Sequence, residues 1–378
     1  MATAGEIVGR REGVRLRQVR RDFDVPLEEE IDGLLEEAQA LVVAFLVEAS
    51  SRDYPSTQSA RSVWLAGVLR QVRRLLREKY DEIASAITGS MERVVPAESA
   101  FVGETLSRAA APAVEAGVVS GIRQITPSQA LVGRLSRRGL VAIDGGAATV
   151  GDWLRGQQER VLQAIGEVLL AGVTRGDSMP QIVRQLTGTR RQPGPIGASR
   201  RWARVVAQTS LTHSMQGMRD ELYQNNRDVV QGVQWISARD ERTTLICWAR
   251  ESQLWKITDQ GYEPVDHDIP FNGGPPAHAN CRSVTAPWLF SAQEMGLPSS
   301  NRTKAARTAR SQLDGRPPRR ETNLTAFRRL AERARRKVLG VTRLRYLESG
   351  AVPKLTDFLD RDGNVISVER LLESIRER

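Results

Sequence analysis

Two cysteines, three histidines and 5% aromatic residues are all that this 378-residue chain offers of the side chains most often used for chemistry. Two cysteines cannot build a disulfide framework, which excludes the stapled scaffolds of small secreted proteins. With hydrophobic residues at 40% but so few rings, the cores have to be packed from Ala, Leu, Val and Ile, a composition suited to helices on helices. Long apolar runs are missing as well. The longest covers residues 38–47 with Gln39 inside it, about half the roughly 20 residues that a membrane span requires. The basic N-terminal stretch has no apolar run that could serve as a signal-peptide core. These absences predict a soluble chain made in a cytosol, with no membrane partner. Serine-hydrolase, phosphate-loop and dinucleotide signatures are also absent.

Positive charge is present in excess. The formal net charge is +10 and the pI is about 10.2, which points to a polyanionic partner. Residues 301–345 carry fifteen Lys/Arg against three acids, enough to account for the whole excess. Within and beside this segment, Arg316, Arg319, Arg320, Arg328, Arg329, Arg333, Arg335, Arg336 and Lys337 are candidate contacts to nucleic acid or to an acidic protein surface. A smaller cluster at the N-terminus comprises Arg10, Arg11, Arg15, Arg17, Arg20 and Arg21.

Periodicity predicts a mainly α fold with a small irregular α+β module in the C-terminal half. Residues 1–25 read as a basic flexible arm. A helical N-terminal region follows over 26–150, opened by Pro26 with Glu28, Glu29 and Glu30 in the first turn, where negative charge complements the helix dipole. Leu65, Val68, Leu69, Val72, Leu76, Tyr80, Ile83 and Ile87 keep helical spacing from residue 57 onward, with Arg70, Arg73, Arg74 and Arg77 on a solvated face. Residues 89–150 read as short helices broken by Gly and Pro, with a capping box at Thr126–Gln129. A helical lead-in spans 151–230. It contains a helix ending at Gly172, a second helix capped by Ser178 and Gln181, a flexible basic loop over 187–200, and a helix over 201–226 that holds His213 in its core face. A Trp/Cys/His-rich α+β module occupies 231–290, and a basic linker with a helical tail occupies 291–378.

Residues 235–288 concentrate the rare side chains: both cysteines, two of the three histidines and four of the seven tryptophans. Thiolate and imidazole are the preferred ligands of zinc. His278 and Cys281 have tight ligand spacing, and Cys247 lies upstream in a segment that must fold back to meet them. A fourth ligand could come from His267, Asp268 or Asp240. Two other readings stay open for the same residues. Cys247 and Cys281 can form a disulfide once outside a reducing cytosol, or they can be small buried packing residues. Asp240, Arg242 and Thr243 read as a turn locked by side-chain hydrogen bonds. His278-Ala-Asn280 with nearby acids also faintly resembles a metal-dependent nuclease site.

The spacing of Trp235, Asp240-x-Arg242-Thr243 and Cys247, followed some thirty residues later by Pro275-Pro276-x-His278-x-Asn280-Cys281-Arg282, resembles the phage head morphogenesis family of minor head proteins, the SPP1 minor head protein-like and Mu F-like group. Outside the centre, Gly172-x3-Gly176, Tyr223-Gln-Asn-Asn, Gly340-x2-Arg343-x5-Ser349-Gly350 and Phe358-x4-Gly363 are similar to segments of that family, so the resemblance covers roughly residues 150–375. Some members carry additional cysteines where this chain has Thr244 and Ser283. The resemblance implies a minor virion protein present in few copies and not an enzyme. It would assist head morphogenesis, capsid assembly and genome packaging or delivery. The implied partners are the portal protein, capsid or scaffolding proteins and genomic DNA. The implied location is the head interior at the portal vertex, and the host cytoplasm during assembly. The rival functional readings are a metal-dependent nuclease acting on phage DNA and a DNA-binding adaptor without a virion role.

Overall fold

Leu27, Ile31, Leu35, Ala38, Val42 and Leu46 recur at three- and four-residue spacing, and each is at most 2% exposed. They form the inner face of α2 (Val25–Asp53). The computed structural model of the protein describes residues 4–53, 57–137, 140–141, 147–291, 293–295 and 322–376. The chain divides into two compact units, one of residues 1–18, 94–135 and 212–378 and the other of residues 19–93 and 136–211.

The second unit is helical. It comprises α2, the part of α3 (Gln58–Glu115) up to residue 93, α5 (Val150–Arg175), α6 (Met179–Thr187) and the first turns of α7 (Pro195–Asn225), with a two-residue antiparallel ladder of β1 (Leu140–Val141) and β2 (Ala147–Ala148). Val68, Val72, Leu76, Tyr80, Ile83 and Ile87 are buried and Arg70, Arg73, Arg74 and Arg77 are exposed, as the spacing predicts. Helix α5 does not end at Gly172 but continues to a left-handed cap at Gly176 (φ 76°). Gly172 is instead a packing glycine: a Cβ there would lie 2.6 Å from Ile182 Cγ1 of α6. The Ser178–Gln181 capping box is present. The loop expected over 187–200 is short, because a Gly188–Pro193 bridge closes it and Pro195 opens α7, a position where a missing N–H costs nothing.

The first unit is built on a four-stranded antiparallel sheet of β3 (Val230–Ile236), β4 (Leu254–Thr258), β5 (Gly261–Val265) and β6 (Val284–Leu289), in the order β5-β4-β3-β6. Every residue of β3 and β6 is buried. The later turns of α7 lie along β6, where Arg219 and Tyr223 both donate to the carbonyl of Thr285. Polar groups that an edge strand would otherwise present to solvent are thereby covered. Helix α8 (Leu245–Arg250) follows β3. Its Trp248 packs edge-on against Phe327 of α9 (Asn323–Arg328), with ring centroids 5.4 Å apart. Helices α10 (Glu332–Glu348), kinked at Gly340, and α11 (Val368–Arg376) complete the tail. The fold is thus mainly α with a small antiparallel sheet in the C-terminal half, the class the sequence predicts. Among the described residues, no helix is long and apolar enough to cross a membrane.

Three sequence expectations are corrected in the N-terminal 150 residues. The arm expected over 1–25 contains a helix, α1 (Ala4–Val19). Its inner stripe is Ala4, Val8, Glu12, Arg15 and Val19, so two buried charges hide the apolar period. Helix α3 also runs unbroken through Pro96 and Pro112 where short helices were expected. Its buried positions there include Ser90, Glu98, Ser99, Thr105 and several alanines, a mixture that leaves little hydrophobic contrast. Packing of that face outweighs the roughly 3 kcal/mol that an interior proline costs. The next helix, α4 (Gln129–Arg137), is capped by Ser128, whose Oγ accepts from Leu131 N, and not by a box starting at Thr126.

Candidate metal centre

Cys247 reaches the centre from the first turn of α8, and His278 and Cys281 reach it from the loop before β6. That loop turns on Asn280, which has φ 61°, and Cys281 N donates to His278 O at 3.2 Å. Asparagine is among the few non-glycine residues that adopt this left-handed geometry readily. The turn sets the His278 and Cys281 side chains against Cys247. The two sulfurs are 3.6 Å apart, and His278 Nε2 is 3.1 Å from Cys247 Sγ. Both cysteines are buried and His278 is half-buried. Ser237 Oγ donates to Cys247 O at 2.9 Å, and Thr212 Oγ1 donates to Cys281 O at 3.4 Å, so the backbone on both sides is tethered.

The histidine tautomer follows from its contacts. Nδ1 is 2.8 Å from the carbonyl of Ala279, which can only accept, so Nδ1 carries the proton and Nε2 presents a lone pair to the sulfurs. A backbone carbonyl on the far nitrogen is the usual means of orienting a ligating histidine. Thr244 Oγ1 also lies 2.8 Å from Nε2. The two thiols hydrogen-bond to each other. Cys281 ionises more readily than a free thiol, chiefly because Cys247 hydrogen-bonds to its sulfur and then because His278 does so in its imidazolium form, with both ring nitrogens protonated. Cys247 is held in the thiol form by its bond to Cys281 and by burial, an effect that hydroxyls of Ser283 and Thr244 partly oppose. Burial disfavours the charged form of His278, but the Cys281 sulfur outweighs it and raises the pKa. Cys247, His278 and Cys281 together could hold a metal ion, with ligand atoms all within 4.8 Å of one another.

His267 is not part of this group. Its Nδ1 accepts from Ile269 N at 3.2 Å, its Nε2 donates to Leu254 O at 2.9 Å, and its ring stands edge-on to Trp255 at 4.7 Å. With both nitrogens engaged by backbone, it is a structural histidine of the sheet. Asp240 is likewise committed elsewhere, and Asp268 is exposed outside the cluster. The expected turn lock is present with a different guanidinium. Asp240 Oδ1 accepts from Arg242 N at 2.9 Å and from Thr243 Oγ1 at 3.1 Å, but the ion pair is made by Arg282 across 42 residues, while the Arg242 residue is exposed. Trp235 is fully buried, 6.1 Å from Trp255 and 5.7 Å from the Arg250 guanidinium.

In the basic segment, Arg316, Arg319 and Arg320 lie outside the described residues. Arg328, Arg329, Arg333, Arg336 and Lys337 are exposed on α9 and α10, and Arg335 is half-buried with Glu348 at 3.4 Å. Ion pairs made by buried carboxylates were missed from sequence. Arg239 pairs with the buried Glu251, whose carboxylate also receives Ser237 N. Arg219 joins Glu98 and Glu12. A signal for Arg219 exists: it falls on the α7 face marked by Met215, Met218 and Leu222, where a charge demands a buried partner. No family model, no curated protein and no solved structure matches the chain.

Proposed function

We propose that the chain is a minor head protein of a tailed phage, associated with the portal and the head interior, and that it works by binding and not by catalysis. The observation that carries this reading is the convergence of the two separated halves of the motif. Cys247 meets His278 and Cys281, and Arg282 closes on Asp240 beside them. The hydroxyls of Thr244 and Ser283, at the two positions where some members of the resembling family have cysteine, border the same centre: Thr244 Oγ1 is 2.8 Å from His278 Nε2, and Ser283 Oγ is 3.5 Å from Ser237 Oγ, which holds the carbonyl of Cys247. A centre shared by all these positions is what the family pattern requires. The exposed cations of α9 and α10 support contact with genomic DNA or with acidic surfaces of portal, capsid or scaffolding proteins.

We assign zinc as the metal of the centre. A tetrahedral ion with Zn–S of about 2.3 Å and Zn–N of about 2.0–2.1 Å would separate two sulfurs by about 3.8 Å and a sulfur from a nitrogen by about 3.6 Å. The sulfurs here stand at 3.6 Å, and the 3.1 Å from Cys247 Sγ to His278 Nε2 requires only a small rotation of the imidazole. Among the described residues no fourth Cys, His, Asp or Glu joins the group, so water or Thr244 would complete the shell. Metal there pins the module together. Elemental analysis of purified protein should find about one zinc per chain, lost in His278→Ala; zinc-free protein that takes up none on reconstitution would exclude the assignment.

The virion reading is tested on isolated procapsids and virions. The chain should be present in low copy and co-purify with the portal; particles lacking it would refute the proposal. Incubation with duplex and single-stranded DNA and divalent metals should give no cleavage. Cleavage that disappears in His278→Ala would establish the nuclease instead.

A further inference from the structure

The N-terminal arginine cluster has no part in the metal centre or in the basic segment, yet it forms one wall of a groove. Helix α1 and the turns of α3 beyond residue 94 enclose an open groove of about 560 Å³, lined by Arg10, Arg11, Arg15, Phe101 and Arg108, with Glu104 as the one carboxylate in its wall. Arg15 is paired with Glu98, and Glu104 cannot neutralise the three guanidinium groups that remain. It is already shared by Arg11 at 2.6 Å and Arg108 at 2.5 Å. Arg10 is exposed and makes no ion pair among the described residues. Arg15 is 6% exposed; its Nε donates to Glu98 Oε2 at 2.8 Å, while its Nη2 makes no hydrogen bond among the described residues.

These cations are also held in place. Arg11 Nε donates to Thr105 Oγ1 at 2.8 Å, and the guanidinium carbons of Arg11 and Arg15 lie 5.1 and 5.3 Å from the centre of the Phe101 ring. Stacked and hydrogen-bonded guanidinium forks lose little freedom on binding an oxyanion. The ring that a nucleobase would need as a platform is occupied by the arginines themselves, so the groove offers charge and donors in place of stacking. Arg10 or Arg11 and Arg15 are separated by about 6–8 Å along the helix axis, which suits a ligand that repeats one negative charge per unit along its length.

We propose that this groove binds the phosphodiester backbone of a nucleic acid, independently of base sequence. It rests on the groove alone and holds whether or not the chain is a virion protein. The groove supplies bidentate donors to phosphate oxygens and excludes no sequence.

The test is binding of full-length protein to fluorescently labelled DNA of unrelated sequences, followed by anisotropy across a salt series. Arg10→Gln with Arg108→Gln should weaken binding by on the order of tenfold per lost contact at 0.1 M salt and lower the slope of log K against log salt by about 0.9 per contact. Arg134→Gln with Arg155→Gln removes the same charge from exposed positions elsewhere and should change neither quantity. Arg10→Glu alone, at an exposed position that leaves the fold intact, should weaken binding further than Arg10→Gln. Equal losses in the groove pair and the control pair would reduce the effect to net charge and overturn the proposal. Displacement of DNA by inorganic phosphate or by polyglutamate at matched charge would overturn it as well, by showing a site for a free anion or for an acidic peptide.

Discussion

Arg282 holds Asp240 with both arms of its guanidinium, Nη1 at 2.8 Å from Oδ2 and Nη2 at 2.6 Å from Oδ1, across 42 residues of chain. The pair joins the turn that leads into α8 to the loop that carries His278 and Cys281, so it closes the centre from outside. Its signature is the Asp240 carboxyl, whose pKa falls to about 2, first through the hydrogen bonds from Arg282. A carboxylate with a depressed folded pKa contributes stability that is complete above its unfolded value near 4 and is lost as the pH falls through about 2. Asp240 is 41% exposed, so solvent screening limits the contribution to about 1 kcal/mol. Asp240→Asn keeps a side-chain oxygen for the turn and removes the charge. Urea denaturation should show the variant about 1 kcal/mol less stable at pH 7, with most of that gap closed near pH 2. A gap that stays the same at both pH values would show that the ion pair is not its source.

Arg219 presents the opposite case, a charge with no solvent to fall back on. It is fully buried; Nε donates to Glu98 Oε1 at 2.6 Å, and Glu12 Oε2 stands 2.9 Å from Nη2 as an ion pair without hydrogen-bond geometry. Burial raises the pKa of Glu12 in spite of that pair. Removing this cation leaves Glu12 buried without its ion pair and Glu98 with Arg15 alone, so Arg219→Ala is expected to cost about 3–5 kcal/mol. Arg219→Met with Glu12→Gln, which keeps Glu98 for Arg15, should recover much of the loss, because uncompensated charge and not lost volume drives it. Denaturation midpoints of the single and double variants decide this. A double variant no more stable than Arg219→Ala would assign the cost to packing.

These two pairs also mark where the sequence stops being legible. The helices with clean apolar periods, α2 and the first half of α3, read directly. So did the strand at Trp235 and the Ser178 cap, because their determinants are local. The Cys247, His278 and Cys281 grouping was visible from residue type and spacing. Arg282 as the partner of Asp240 was not, since 42 residues of loop and strand intervene and nearer Arg242 satisfies any local rule equally well. Helix α1 was hidden for a related reason. Two of its buried positions, Glu12 and Arg15, are charges whose partners lie on other helices, and only tertiary structure reveals that they face inward. His267 was misassigned because its backbone partners, Leu254 and Ile269, leave no trace in composition.

Gly232 sits at the centre of β3 with no room for a side chain. A Cβ there would lie 2.3 Å from the carbonyl oxygen of Trp255 and 2.8 Å from Cε3 of Trp288. The first obstacle is backbone of the neighbouring strand, which cannot move without breaking the β3–β4 pairing of Gly232 with Lys256. Gly232→Ala should therefore cost about 2 kcal/mol or more although it adds one methyl group. The tryptophan near-ultraviolet circular dichroism should change with it, because Trp255 and Trp288 border the site. Unaltered spectra and stability would mean that the sheet accommodates the methyl and that the strand spacing here is wider than described.

Asp24 ends the π-helical turn Arg20–Asp24 that precedes α2. Its side chain is 11% exposed with Arg20 only at 4.0 Å, and burial, with Arg20 opposing and Glu28 assisting, raises its pKa to about 6. The sign is the reverse of Asp240. A folded pKa above the unfolded 3.8 means that the native state prefers the neutral acid, so stability is greatest below about pH 4 and declines as the pH rises through 6. Asparagine keeps the shape and removes the ionisation. Asp24→Asn should leave stability unchanged near pH 4 and raise it by about 2 kcal/mol near pH 8. Denaturant titrations of parent and variant at the two pH values measure the difference directly. A variant less stable than the parent near pH 8 would mean that the ionised carboxylate is stabilising, and that its interaction with Arg20 outweighs its burial.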